Sequence, residues 1–348
     1  MIRAVCACMA ECSANPSAAY TAAGKARREI RLAKETLSQM LGCDRSEIIF
    51  TSGGTEANNL ALKQAAGRHV ILSAMEHKSV LEAAKHLGCE ISLVAPNANG
   101  QMDAANIQGA IRSNTALISV QTVNNETGVI QSIAEIGAIA RQHNILFHTD
   151  AVQAFGHMPI DVNAANIDLL SASAHKLYGP RGIGFLYVRQ GVPAIPLILG
   201  GRQEGALRAG TENVPAIAGF RVAAELAEVD MTARRERVAQ LMTAFITALK
   251  QKKPEIMEIS AHTDRLPGIR ALRLPRQSSE WVIAKLDSSG IRVSGGAACG
   301  TSEATPSHVL LAMGFSEIEA NEVIRISPGR HTTAVEMQKA AETISGLL

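Results

Sequence analysis

The chain has 348 residues, with 34 basic and 32 acidic side chains and a formal charge of +2 at pH 7. Hydrophobic residues make up 47% of the chain and aromatic residues only 3%, with Trp281 the single tryptophan. This length suits one large domain or two ordinary ones, and the balanced charge and scarce aromatic rings argue against a nucleic-acid-binding protein.

No segment contains the roughly 18 consecutive apolar residues that a membrane span needs, and the first residues lack the long apolar core of a secretory signal. Six cysteines in a chain of this length do not indicate a disulfide framework. We therefore expect a cytoplasmic protein that does not bind a membrane. The cysteines are unevenly placed: Cys299 lies in a stretch rich in glycine and alanine, and the first dozen residues hold Cys6, Cys8 and Cys12.

Apolar residues alternate between helical and strand periods over the first half of the chain. A helix over 26–41 comes first, since apolar residues recur there at helical spacing. Short β-rich runs follow, separated by helical stretches, at 47–51, 70–74, 91–94, 116–123, 145–148, 169–172 and 184–188. Strand and helix in turn predict an α/β fold, with a mostly parallel sheet flanked by helices.

The second half of the chain has a different pattern. Residues 215–250 predict a long helical passage, with a solvated face that carries Arg234, Arg235 and Arg237. Beyond it the apolar runs are shorter, until a final helix at the end of the chain. This change predicts a large domain over 12–228 and a smaller α+β domain over 229–348, which carries the Cys299 segment and to which residues 1–11 could be added.

Polar residues and glycines gather just after the predicted strands. In open α/β sheets ligands bind at the carboxyl ends of the strands, so the candidates for a site are Ser52 to Thr55, Glu76, His77, Asn124, Asn125, Asp150, Gln153, Ser173, His175 and Lys176. The stretch 52–57 joins a strand to a helix, and its glycines and the free N–H groups of the helix could bind a phosphate. An ordinary tight turn with an N-cap explains the same residues equally well.

Asp150 and Lys176 give this edge of the sheet a more specific chemistry. Asp150 follows an apolar run, where a carboxylate needs a cationic partner such as a protonated pyridine nitrogen. Lys176 follows another strand, and a buried lysine is the usual former of a Schiff base. Taken singly, a helix cap and a surface lysine are the simpler explanations. Together with a phosphate loop, the two residues meet the needs of pyridoxal 5'-phosphate (PLP).

The order of these motifs resembles that of the cysteine desulfurases, the NifS/IscS-like branch of the class V aminotransferases among the fold-type I PLP enzymes. The matching stretches cover nearly the whole chain: 15–17 (NPS), 51–59 (TSGGTEANN), Glu76 and His77, 123–128 (VNNETG), 148–153 (HTDAVQ), 173–180 (SAHKLYGP), 208–213 (RAGTEN), the segment around Cys299, and 325–330 (RISPGR). The resemblance implies a large PLP-binding domain with a mostly parallel mixed sheet, and a smaller α+β domain.

The resemblance also assigns roles in a PLP site. Lys176 would form the Schiff base and then carry the Cα proton of the substrate, while Asp150 would keep the pyridine nitrogen protonated. His77 would stack on the ring and Gln153 would bond its phenolate oxygen. The phosphate would be held by Gly54, Thr55, Ser173 and His175, joined by Thr211 from the other subunit of a homodimer. The substrate carboxylate would be bound by Asn125 and Arg325.

Cys299 determines which activity the resemblance implies. Its thiolate would attack the sulfur of bound L-cysteine, which leaves a persulfide on Cys299 and releases L-alanine. The sulfur would then pass to an acceptor protein for Fe–S cluster assembly or a thiolation pathway. The alternatives are a small apolar filler at position 299, a selenocysteine lyase or other class V lyase, and a weakly active relative that serves in sulfur relay or binding.

The beginning of the chain departs from the family pattern. Residues 1–10 stand in place of a strand that usually carries Asp-Asn-Ala-Ala-Thr-Thr, and Tyr20 occupies the place of a usual histidine. This departure motivates the weakly active alternative. Three thiolates close in sequence could also converge on one metal ion, although a terminal segment without a fourth ligand favours no metal at Cys6, Cys8 and Cys12.

Overall fold

The computed structural model describes residues 1–295 and 305–348. Its helices are α1 (Ile2–Glu11), α2 (Ala23–Leu41), α3 (Gly54–Lys63), α4 (Lys78–His86), α5 (Ala104–Gly109), α6 (Ile133–Gln142), α7 (Val214–Val229), α8 (Met231–Lys252), α9 (Ser279–Ser288), α10 (His308–Ala312), α11 (Glu317–Asn321) and α12 (Ala334–Leu347). Its strands are β1 (Ile48–Thr51), β2 (His69–Ser73), β3 (Glu90–Val94), β4 (Thr115–Ser119), β5 (Leu146–Asp150), β6 (Leu169–Ser173), β7 (Gly184–Val188), β8 (Met257–Glu258), β9 (Arg270–Arg273), β10 (Ser294–Gly295) and β11 (Val323–Ile326). Over these residues, no helix is both long and apolar enough to cross a lipid bilayer.

The larger sheet has seven strands in the order β1-β7-β6-β5-β4-β2-β3. Strands β3, β2, β4, β5 and β6 run parallel to one another, whereas β7 is antiparallel to both β1 and β6. Central strands of such a sheet are covered on both faces, so their sequences are continuous apolar runs. The predicted run 116–123 is an exception, because β4 ends at Ser119 and Val123 forms only an isolated bridge with Ile130. The mixed, mostly parallel architecture predicted from the sequence is confirmed.

An aromatic cluster fixes α7 against the large sheet. The ring of Phe155 lies edge-on to those of Phe185 and Phe220, at centroid distances of 5.1 and 6.3 Å, and the rings of Phe185 and Phe220 stack at 5.8 Å. All three side chains are buried. Edge-to-face and stacked pairs add to the free energy of simple apolar burial, so the cluster anchors the helix that leads into the second half of the chain.

The second half builds a four-stranded antiparallel sheet in the order β10-β11-β9-β8. Helices α8, α9 and α12 cover it around a core that includes Phe245, Leu249, Leu272, Ile324 and Ile344. Other side chains of this half, among them Leu310 and Val323, are buried in the core of the large sheet. Side chains from the second half of the chain, Val323 of β11 among them, therefore share a core with the large sheet.

The helical passage predicted over 215–250 is two helices that meet at Asp230, and its arginine face is not solvated. The Arg234 guanidinium is 9% exposed, pairs with Asp230 and donates to the Gly156 carbonyl. Arg237 donates to the Thr332 carbonyl at 2.8 Å. Arg235 is half-buried. The solvated face was predicted wrongly because helical spacing does not show which distant loops will cover a helix.

The first residues of the chain form helix α1, which packs against α7. A Cβ at Gly219 of α7 would lie 2.6 Å from Val5 Cγ2, so the missing side chain at this glycine lets α1 approach α7 closely. Cys8, which is buried, packs with Ala26, Val214 and Ala218. These contacts are with helices α2 and α7, which lie beside the large sheet. The apolar spacing Val5, Cys8, Cys12 therefore serves helix packing.

Candidate active site

The carboxyl ends of β2, β4, β5 and β6 lie side by side around a cavity of about 340 Å³. Most of the residues predicted from the sequence line it: Gly54, Thr55, His77, Asn125, Asp150, Gln153, Ser173, His175, Lys176 and Arg325. A cavity of about 270 Å³ adjoins it and shares Asn125, Gln153, Lys176 and Arg325. Thr211 lies apart from both, in a cavity with Ser52 and Arg208, and Cys299 lies outside the described residues.

Asp150, the last residue of β5, is held in position by two hydrogen bonds. Its Oδ1 accepts from the Val152 N–H at 2.9 Å, and its Oδ2 accepts from Asn58 Nδ2 at 2.7 Å. Only 7% of the residue is exposed, yet it lines the cavity. A carboxylate in such an enclosed position favours a cation or a charged N–H donor in the cavity.

The turn between β1 and α3 has the backbone of an anion-binding loop. Gly53 has φ 152° and ψ −176°, a conformation open almost only to glycine. A Cβ at Gly54 would lie 2.6 Å from Val152 Cγ2, so this position also needs glycine. Helix α3 begins here and presents its first N–H groups without intrahelical partners. Loop and helix together fit a phosphate.

Ser173 and His175 complete the anion site from the end of β6. Ser173 Oγ lies 2.8 Å from His175 Nδ1. Burial lowers the pKa of His175 below its ordinary value, and the nearby charges of Lys176 and Arg181 lower it further. A bound phosphate would offset this positive surrounding, so the site is electrostatically suited to an anion.

Lys176 is fixed by the turn that follows β6. The 3₁₀ turn over residues 174–177 ends at Tyr178, whose φ of 65° reverses the chain, and Gly179 N–H donates to the Ala174 carbonyl at 2.9 Å. The Lys176 carbonyl accepts from His157 Nε2 at 2.9 Å. The backbone is therefore rigid, and the half-buried lysine side chain lines both adjoining cavities.

Arg325 reaches the cavity from β11 of the second sheet. Its Nη1 donates to the Asn125 carbonyl at 2.8 Å, which joins β11 to the segment that follows β4. A planar guanidinium beside a side-chain amide suits a carboxylate ligand. The sequence placed both residues in the site, but they lie 200 residues apart and only the folded chain brings them together.

Two buried glutamates at the cavity were expected only as members of a set: Glu76 was one of the strand-end candidates, and Glu126 lay in the matching stretch 123–128. Burial, aided by the charge of Asp150, raises the pKa of Glu76 well above its ordinary value. Burial raises the pKa of Glu126 to about 7, against the lowering effects of the Ser307 hydroxyl and the Arg325 charge. The sequence assigned neither glutamate a chemical role, because the pKa of each depends first on its burial in the folded chain.

The cysteines of α1 do not converge as a trio. Cys8 and Cys12 are four residues apart and lie on one face of the helix. Cys6 is two residues before Cys8, which is a rotation of about 200° around the helix axis, and it is exposed. Burial, with a hydrogen bond to Cys12, raises the pKa of Cys8 to about 12, so it remains a thiol at neutral pH. In the described ranges no three His, Cys, Asp or Glu side chains are grouped to hold a metal ion, and the three-thiolate alternative is not supported.

Comparison with known proteins shows the family to which this chain belongs. The family model described as aminotransferase class-V matches residues 1–339. The chain belongs to the class V aminotransferase family. The matched range includes α1, which is a helix at the position where the sequence comparison expected the family's first strand.

Curated relatives place this class V aminotransferase among the cysteine desulfurases. The cysteine desulfurase IscS of Dictyoglomus turgidum is 39% identical over 343 residues, which are 96% of this chain and 87% of the relative. The cysteine desulfurase IscS of Methanosarcina thermophila is 39% identical over 353 residues, with 99% of this chain and 87% of the relative covered. The family predicted from the motif order is confirmed.

Solved structures of similar proteins agree. A NifS-like protein has a TM-score of 0.92 and 31% sequence identity, over 99% of this chain and 94% of its own. The protein SspA, solved in complex with cysteine, has a TM-score of 0.83 and 37% identity, over 95% of both chains. The fold predicted for this class V aminotransferase is thus confirmed.

Proposed function

We propose that this chain is a PLP-dependent cysteine desulfurase, which converts L-cysteine to L-alanine and transfers the sulfur to Cys299 as a persulfide. The observation that carries the proposal is the convergence of Lys176, the buried Asp150 carboxylate and the anion loop in one cavity, with Arg325 beside them. The names of relatives at 39% identity support the choice of reaction.

The residues of the cavity fit PLP on their chemistry. The phosphate would be held by the loop at Gly54 with Thr55, Ser173 and His175, and the ring N–H by the buried carboxylate of Asp150. Gln153 and His77 would contact the ring. When bound, PLP supplies an aldehyde for amine substrates and a protonated ring that accepts electron density from Cα.

Four residues of this chain would bind the substrate and carry out the reaction. Asn125 and Arg325 hold the substrate carboxylate, and the Lys176 amine, which first holds the cofactor, moves the proton at Cα. The Cys299 thiolate attacks the substrate sulfur: an S–S bond forms, the C–S bond breaks, and its electron pair stays with Cβ. Cβ takes a proton, and alanine leaves. Thiolates are far better nucleophiles than thiols, so Cys299 must be deprotonated for this step.

The proposal includes a homodimer in the cytoplasm and a protein that accepts the sulfur. Thr211 is exposed and lies away from the cavity of its own chain, which supports a role for it at the phosphate of a partner subunit. Sedimentation of the purified protein should give the mass of two chains. A monomer that is active at the same specific rate would contradict the role of Thr211.

The cofactor assignment is tested by the absorption spectrum of purified protein incubated with PLP. The wild type is expected to be yellow and to retain cofactor through borohydride reduction and denaturation. The Lys176→Ala variant should release all of it on denaturation. Covalent PLP in Lys176→Ala would overturn the assignment.

Substrate choice is tested by turnover of cysteine beside selenocysteine. We expect Cys299→Ala to abolish alanine formation from cysteine, because the nucleophile is gone. An enzyme that prefers selenocysteine and is indifferent to Cys299→Ala would be a selenocysteine lyase. A chain with bound PLP but no turnover of either would support the sulfur-relay alternative.

A further inference from the structure

A chain of hydrogen bonds links His77 to Asp150 through Ser79 and Asn58. Asn58 Nδ2 lies 2.7 Å from Asp150 Oδ2 and 2.8 Å from Ser79 Oγ, and Ser79 Oγ lies 2.7 Å from His77 Nδ1. The backbone N–H of Ser79 also donates to His77 Nδ1, at 3.1 Å. All four residues line the cavity. The sequence analysis gave no role to Asn58 or Ser79.

The partners settle which way each hydrogen bond runs. Asp150 Oδ2 is an acceptor, so the amide nitrogen of Asn58, and not its oxygen, must face it. An amide nitrogen carries two hydrogens, and the second is directed to Ser79 Oγ. Ser79 Oγ thus accepts from Asn58 and keeps its own hydrogen to donate to His77 Nδ1.

His77 is consequently held as one tautomer. A backbone N–H can only donate, so the nitrogen that accepts from Ser79 N–H must carry a lone pair. The single lone pair of Nδ1 is shared between the Ser79 N–H and the Ser79 hydroxyl, so in the neutral ring the proton is on Nε2. His77 is the N-cap of α4, which fixes the ring orientation as well as the tautomer.

Burial of Asn58 indicates that this arrangement has a stability cost. Asn58 is 1% exposed, and its Oδ1 is a buried polar atom that makes no hydrogen bond with the described residues. An unsatisfied buried carbonyl is unfavourable, and such atoms in a folded protein call for an explanation. The explanation here is that Nδ2 must reach Asp150 and Ser79 together.

We propose that Ser79 and Asn58 are positioning residues, which fix His77 in the Nε2–H tautomer and tie its orientation to that of Asp150. The importance of this link for catalysis rests on the proposed function, in which His77 and Asp150 both contact the cofactor ring. Through Asn58 and Ser79, a displacement of either residue is transmitted to the other. In the neutral imidazole, the link places the proton on the nitrogen that Ser79 does not contact.

The first test is ¹⁵N NMR of the full chain with labelled histidine, without and with PLP, where His77→Gln identifies the His77 signals. The expected spectrum has an unprotonated Nδ1 and a protonated Nε2 in both forms. In Ser79→Ala the loss of the hydroxyl should broaden or shift the Nδ1 signal, and Ser79→Thr should restore it. A protonated Nδ1 in the wild type would overturn the proposal.

The second test is the steady-state rate of alanine formation by the same variants. Ser79→Ala should lower kcat about tenfold, the order expected for one lost hydrogen bond, at nearly constant KM, and Ser79→Thr should recover most of it. Ser132→Ala is the matched control, since Ser132 occupies the N-cap position of α6 without a side-chain capping bond; it should leave kcat unchanged. A Ser79→Ala enzyme equal to wild type in both spectrum and kcat would overturn the proposal.

The two tests separate this inference from the proposed function. Protein that shows the expected tautomer but forms no alanine in any variant refutes the desulfurase assignment and leaves the hydrogen-bonded chain intact. Active wild-type enzyme with a protonated Nδ1 refutes the hydrogen-bonded chain and leaves the assignment intact.

Discussion

Replacement of Glu126 by glutamine is predicted to stabilise the protein increasingly as the pH rises. Glu126 is 3% exposed, and its Oε2 accepts from the hydroxyl of Ser307, which also caps α10. Burial raises the pKa of Glu126 from 4.5 to about 7. The folded state therefore holds this proton more tightly than the unfolded chain does. Its stabilisation is complete below pH 4.5 and is lost as the pH rises through about 7.

The size of the effect follows from the same values. The interval between 4.5 and about 7 corresponds to about 3 kcal/mol of unfolding free energy, and a glutamine, which does not ionise, lacks this loss while its carbonyl still accepts from Ser307. Urea unfolding at a series of pH values from 4.5 to 8 measures it. The gap between Glu126→Gln and wild type should widen by about 3 kcal/mol over this range.

The control is Glu135→Gln, since Glu135 is exposed on α6. Its unfolding free energy should run parallel to that of the wild type within about 0.5 kcal/mol. A gap between Glu126→Gln and wild type that stays constant with pH would show that burial does not perturb Glu126, and the reasoning would fail.

Three further outcomes are expected. Glu204→Gln should destabilise the protein by about 3 kcal/mol in urea unfolding, because Glu204 is 7% exposed and its carboxylate neutralises the Lys34 ammonium 2.8 Å away. A loss of stability below about 0.5 kcal/mol would contradict the importance of this ion pair. Phe220→Ala should cost about 3 to 5 kcal/mol in the same assay by emptying the aromatic cluster under α7, and an unchanged midpoint would contradict that packing. Arg325→Lys should raise KM for cysteine about tenfold or more, with a smaller effect on kcat, because a lysine cannot bind a carboxylate in bidentate fashion. An unchanged KM in steady-state kinetics would show that Arg325 does not bind the substrate.

The elements of the large sheet were predictable because their burial is encoded locally. Strands covered on both faces are continuous apolar runs, and most of their bounds differ by one or two residues from those expected. The break at Asp230 was not predictable. Apolar spacing continues through it, and Asp230 is held by Arg234 and by Arg330, which is 100 residues away.

The candidate site was predictable where a residue follows a strand directly. Asp150 and Lys176 belong to this group, since the sheet alone brings the carboxyl ends of β5 and β6 together. Asn58 and Ser79 are different. They lie on helices α3 and α4, and nothing in either helix shows that the first turn of one will meet the middle of the other. Their contact is a product of packing.

Glu126 shows a second limit of the sequence. Its place beside Asn125 marked it as part of a motif, but its pKa depends on burial and on Ser307, which is 181 residues away. The same holds for the arginines of α8, whose partners come from loops near residues 156 and 332. A charged residue in a sequence is expected to be exposed, but parts of the chain that are distant in sequence can bury it.

The most direct test of the central claim is mass spectrometry of the PLP-loaded protein after reaction with one equivalent of L-cysteine, with alanine measured in the same sample. The account predicts one alanine released for each sulfur atom gained, the sulfur located on Cys299, and neither product in Cys299→Ser. No alanine from the wild type, or sulfur on another cysteine with alanine still formed by Cys299→Ser, would contradict it.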